Sequence, residues 1–88
     1  MVQKEVEVIN SLGLHARPAA WFVKVASPYT AEVFIEKDGV RINGKSIMGV
    51  MMLAAEQGSK LTIIVDGPDE EELIEKLAEL FKNKFYEE

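Results

Sequence analysis

The dipeptide Asp38-Gly39, set between two short alternating runs, constrains this chain more than any other feature. Ala31, Val33 and Ile35 alternate with other residues before it, and Val40 and Ile42 alternate after it. Asp-Gly suits a two-residue primed turn, so the two runs are predicted to fold back on each other as a hairpin. At least part of any sheet in this chain is then antiparallel.

The remaining segments fall in order around that hairpin. At the start, Val2, Val6 and Val8 take one side of a period of two, and Gln3, Glu5 and Glu7 take the other, with Lys4 the one imperfection. That pattern predicts a half-buried strand. The period then lengthens: Ala16, Ala19, Ala20, Val23 and Ala26 recur at helical spacing, Phe22 widens the stripe, and Pro28 stops the helix. In "KSIMGVMML", Ser46 is placed to cap a short apolar helix, with Gly49 arguing against a long one. "KLTIIVD" reads as a strand with Leu61, Ile63 and Val65 on one face. In the last helix Asp69 is expected as the cap, with Glu72 in a capping-box relation. Leu73, Ile74, Leu77, Leu80 and Phe81 form its buried stripe. Strands alternating with helices on so short a chain predict an open sheet with helices on one face and water on the other.

Eighty-eight residues provide one modest core, so residues 1–88 are expected to form a single domain. There is no cysteine, which removes disulfides, thiolate chemistry and cysteine-bound zinc. With one histidine and no carboxylate cluster of suitable spacing, no metal site and no cofactor are expected. The net charge of −5 disfavours nucleic acid as a direct partner, because phosphate-backbone binding needs a basic face. "MVQKEVEVI" lacks the basic-then-apolar order of a signal peptide. No apolar run is long enough to cross a bilayer, so a cytoplasmic protein without direct membrane contact is expected. The abundance of Glu and Lys points toward thermostability.

The single histidine sits in "SLGLHARPAA". Gly13 suits the turn from strand into helix. His15 falls at the expected N-cap, and Pro18 fits the first turn, where a missing N–H costs nothing. The amides of residues 16 and 17 then point out of the helix start as an anion site. Arg17 adds a forked cation suited to phosphate oxygens. A neutral imidazole nitrogen beside these donors is a good nucleophile toward phosphorus. A plain capping or surface histidine fits the same residues, and from them alone both readings stand.

"GLHARPAA" resembles the active-site signature of the HPr family, the histidine-containing phosphocarriers of the bacterial phosphoenolpyruvate-dependent sugar phosphotransferase system. "KSIMGVMML" resembles the family's regulatory-serine segment, and "QGSKLTIIVDGPDEEE" its fourth strand and last helix start. The resemblance covers essentially the whole chain. It implies an α+β open-faced β-sandwich, a four-stranded antiparallel sheet covered on one face by three helices. It implies that His15 is phosphorylated at Nδ1 by Enzyme I and donates to a sugar-specific enzyme IIA. Arg17 and the amides of Ala16 and Arg17 would hold the phosphate. The protein would be a carrier rather than an enzyme, and a monomer. Ser46 matches the serine modified by HPr kinase/phosphorylase, whose phosphorylated form acts with the catabolite control protein. A phosphate at a helix N-cap is well tolerated, yet a plain capping serine is the simpler alternative. A purely regulatory relative acting through phospho-Ser46 is the other functional reading. Relatives of that kind lack the active-site histidine.

Ile47, Met48, Met51 and Met52 crowd a helix too short to bury them all, and methionine suits a surface meeting several partners. The resemblance implies docking through them together with Ala16 and Ala20, while Lys24 and Lys45 are expected to steer acidic partners from the rim. Which methionines are core stays open here. Three residues depart from the family pattern: Leu12 before the active-site glycine, Ala54 where many relatives carry glycine, and Trp21 in place of a smaller side chain.

Overall fold

A computed structural model describes residues 1–86. The elements run β1 (Val2–Glu7), α1 (Ala16–Ala26), β2 (Glu32–Lys37), β3 (Val40–Asn43), α2 (Ile47–Met52), β4 (Lys60–Asp66) and α3 (Glu70–Lys82), with a 3-10 turn at Lys84–Tyr86. This is the predicted order, with the last turn added. At the hairpin tip Asp38 and Gly39 have φ of 50° and 82°, the two left-handed residues that a type I′ turn requires. Phe34 faces Asn43 and Lys37 faces Val40 across the antiparallel β2–β3 pair.

The four strands form one sheet in the order β1-β4-β2-β3. β4 pairs antiparallel with β1 on one side and β2 on the other. The fold is the expected open-faced α+β sandwich. Its inward face is set by register: Val33 lies opposite Val65, and Ile35 opposite Ile63. Both pairs are buried in one core with Phe22 of α1, Val50 of α2, and Leu73, Leu77 and Phe81 of α3.

Lys4, the imperfection in β1, occupies an inward position opposite Ile63. It escapes burial by reaching the carboxylate of Glu75 on α3 at 2.8 Å, a long side chain keeping its charged end in water. Val40, by contrast, is left exposed near the hairpin tip. Ile64 is buried on the opposite, open face, where its register neighbours are Gln3 and Phe34.

Two details of the helices differ from the sequence reading. In α1 the buried residues are Pro18, Ala19, Phe22 and Ala26, whereas Ala16 and Ala20 face solvent and Val23 is half-buried. Alanine periodicity cannot tell the two faces apart, because alanine is tolerated on either. In α3, Asp69 occupies the N-cap position but does not cap with its side chain. Its carboxylate instead accepts the amides of Thr30 at 2.8 Å and Ala31 at 2.9 Å. Glu72 likewise accepts the Tyr29 hydroxyl at 2.7 Å rather than closing a capping box. Glu70 receives the Gly67 amide at 3.0 Å in its stead. These tertiary bonds clamp the start of α3 to the loop entering β2.

Candidate functional site

The site begins with a turn. Gly13 has φ +69°, and a Cβ there would stand 2.5 Å from the Ala55 carbonyl oxygen and 2.9 Å from Glu56 Cα. Only glycine fits. The loop is fixed by the Asn10 side-chain amide donating to the Gly13 carbonyl at 2.8 Å. The Leu14 amide donates to the Ala55 carbonyl at 2.9 Å. His15 follows as the N-cap of α1, with extended backbone at φ −75° and ψ −172°. Its carbonyl accepts the first helical bond from Ala19 at 3.1 Å, while its imidazole does not cap the helix.

Helix geometry leaves the amides of Ala16 and Arg17 without intrahelical partners, and Pro18 has no N–H to leave unpaired. Two amides and the positive end of α1 therefore converge beside a half-buried imidazole. Arg17 is exposed at the same helix start. An imidazole, two amides and a guanidinium together supply a nucleophile and the donors that a phosphoryl group needs.

Ser46 caps α2 as predicted, its hydroxyl oxygen accepting the Gly49 amide at 3.0 Å. Such a cap stabilises a helix by about 1 kcal/mol. α2 packs against α1 and buries Val50 alone. Met48 and Met52 are 73% and 76% exposed, and Ile47 and Met51 are each 42% exposed. All three methionines of α2 thus belong to the surface. Leu12, on the active-site loop, is also exposed.

The two rim lysines are placed differently from one another. Lys24 is exposed, its ammonium 5.4 Å from the centroid of the Trp21 ring. Lys45 turns inward and donates to the Tyr29 carbonyl at 2.6 Å. It ties the residue before Ser46 to the loop ahead of β2 and is half-buried. The sequence spacing of Lys45 carries no sign of that bond, since Tyr29 is brought to it by the β2–β3 hairpin.

Charge is segregated along the chain. No Asp or Glu occurs between residues 8 and 31 or between 39 and 55, although the chain has 15. α1, α2 and the loops before them lie in these stretches, and Glu56, packed by its backbone against Gly13, stands at the margin. Exposed apolar residues and Arg17 and Lys24 therefore lie on two acid-free stretches of an acidic chain. Among the described residues no group of three or more His, Asp or Glu side chains is placed to hold a metal ion. No helix there is long and apolar enough to cross a membrane.

The fold is thus an open-faced α+β sandwich that presents a half-buried histidine at the start of its first helix. The family model for the HPr component phosphorylation site of the phosphotransferase system matches residues 2–83. The chain is 49% identical to the phosphocarrier protein HPr of Treponema pallidum over 88 residues, covering the whole of both. It is 55% identical over 78 residues to the HPr-like protein Crh of Bacillus subtilis, covering 89% of this chain and 92% of that one. The crystal structure of HPr from Thermoanaerobacter tengcongensis superposes with a TM-score of 0.96 at 45% identity, covering 100% of this chain and 99% of that chain. The chain belongs to the HPr family of phosphotransferase-system phosphocarriers.

Proposed function

We propose that this chain, acting in the cytoplasm as a single-domain monomer over residues 1–88, carries a phosphoryl group on His15 Nδ1. It receives the group from phospho-Enzyme I and passes it to sugar-specific enzyme IIA domains. The observation that carries the reading is the place of His15 as N-cap of α1, with Arg17 and the amides of Ala16 and Arg17 in the helix's first turn. The imidazole nitrogen forms a bond to phosphorus while the donor's bond to phosphorus breaks. The amides and Arg17 hold the three terminal oxygens through the exchange. The group then leaves to the next histidine, so the chain ends each cycle unchanged and acts as a carrier. Ala20, Lys24, Ile47, Met48, Met51 and Met52 line the docking surface.

Ser46 is proposed as a second modification site, phosphorylated from ATP by HPr kinase/phosphorylase, with the catabolite control protein as the partner of that form. The cap geometry supports this, since a phosphate at the α2 N-cap is placed where added negative charge is favoured. The identity to Crh favours this regulatory branch as a second function, and His15 favours keeping the carrier function beside it.

Incubation with Enzyme I and phosphoenolpyruvate, read by intact mass, tests the carrier role. Wild type gains one phosphoryl group that is acid-labile and alkali-stable, and His15→Ala gains none. Uptake by neither protein, or by both equally, refutes the assignment. Incubation with ATP and an HPr kinase gives acid-stable phosphate that Ser46→Ala abolishes. Without such label, Ser46 is a cap only.

A further inference from the structure

Trp21 stands four residues beyond Arg17 on α1, a spacing that puts both on the same side of the helix. It is the only tryptophan of the chain and is 42% exposed. The Lys24 ammonium lies against its ring at 5.4 Å. From the other side the chain's last described turn brings in Phe85 and Tyr86. With Arg17 and Pro18 these rings enclose a recess of about 210 Å³.

The recess is closed on one side by an unusual backbone. Lys84, Phe85 and Tyr86 have φ of 53°, 53° and 59°, a left-handed run that L-residues resist. Phe85 anchors the turn by burying its ring edge-on against Phe81, centroids 4.8 Å apart. Phe81 in turn meets Phe22 of α1 edge-on at 6.1 Å. The same turn carries Tyr86, which is 62% exposed and lines the recess together with Trp21.

We infer that the Trp21–Tyr86 recess is a specificity-determining subsite beside His15. It receives one apolar or aromatic side chain from an acidic segment of the protein that exchanges phosphate with this chain. The inference rests on the phosphocarrier reading and adds to it the residues that select the partner. Size limits the occupant to a single large side chain. Charge fixes the surroundings of that side chain: Arg17 lines the recess, Lys24 flanks it, and no carboxylate among the described residues lines it. In a chain of net charge −5, such a patch favours acidic partners and rejects basic ones.

The test is Enzyme I-dependent phosphorylation of Trp21→Ala, Tyr86→Ala, the double variant and Trp21→Phe, each checked for an unchanged melting transition. Loss of either wall raises KM for this chain about tenfold while kcat stays within about twofold. The double variant is little worse than either single one, because both remove the same recess, and Trp21→Phe restores most of the loss. An unchanged KM, or a fall in kcat alone, overturns the inference while leaving the phosphocarrier reading intact. Absence of His15 phosphorylation in wild type overturns both. As a second readout, 5-fluorotryptophan at position 21 gives a single fluorine resonance that shifts on titration with Enzyme I. A resonance indifferent to Enzyme I, or one that moves with the concentration of this chain alone and so reports a second copy in the recess, equally overturns it.

Discussion

Leu14 donates its amide to the carbonyl of Ala55 at 2.9 Å, so the residue before His15 is held by the segment that follows α2. The two proposed phosphorylation segments are thereby joined through the backbone. Gly13 makes this approach possible, because its missing Cβ is the space that Ala55 and Glu56 occupy. Gly13→Ala is expected to destabilise the protein by about 2–4 kcal/mol, through the clash and the left-handed φ together. Urea unfolding measures the loss. Phosphate uptake on His15 is expected to slow even below the unfolding transition, because the loop must shift to admit the methyl group.

Ala54 predicts the opposite sign. It follows the α2 C-cap residue Leu53 with φ +49°, at the position where glycine most often ends a helix. Its side chain is exposed and buries nothing. Ala54→Gly relieves left-handed strain but loosens the unfolded chain, for a net gain of about 0.5–1 kcal/mol. A raised urea midpoint at unchanged slope is the expected result.

Asp69 sets part of the acid limb of stability. Its carboxyl is held below its ordinary value by the Thr30 amide first and the Ala31 amide beside it, with desolvation opposing them. A carboxylate with a lowered folded pKa stabilises above its unfolded pKa, and that contribution disappears as pH falls through the folded value. Asp69→Asn is therefore expected to be less stable at neutral pH and to lose less stability than wild type below about pH 4. Thermal melts from pH 7 down to pH 2 compare the two slopes. Parallel curves would show that the clamp on the α3 start contributes nothing through charge.

Most of the architecture is legible in the chain because local rules agree with the global fold. Asp38-Gly39 forces the hairpin, Ser46 marks the start of α2, and Leu73, Ile74, Leu77, Leu80 and Phe81 are buried as their spacing requires. His15 is legible as an N-cap for the same reason. What escapes is decided by partners far away in sequence. Asp69 looks like a helix cap, but Thr30 and Ala31 offer it two donors that its own helix cannot match. Lys45 looks like a free rim cation, yet the Tyr29 carbonyl lies within its reach. Ala16 and Ala20 carry too little side chain for periodicity to assign them a face. The turn at Lys84–Tyr86 contradicts every local preference of its residues, and only the burial of Phe85 explains it.

The segregation of acidic residues away from α1 and α2 acts before any contact is made. Glu70, Glu71, Glu72, Glu75 and Glu79 are gathered on α3, while Arg17 and Lys24 stand on α1 within the same helical layer. A molecule so divided experiences a torque in the field of an acidic partner and turns its α1 side forward as it approaches. Screening confines this guidance to about 8 Å at physiological salt. Within that range a partner of acidic surface would meet the α1 side, where His15 lies, before the α3 side, and the rotational search would be correspondingly short.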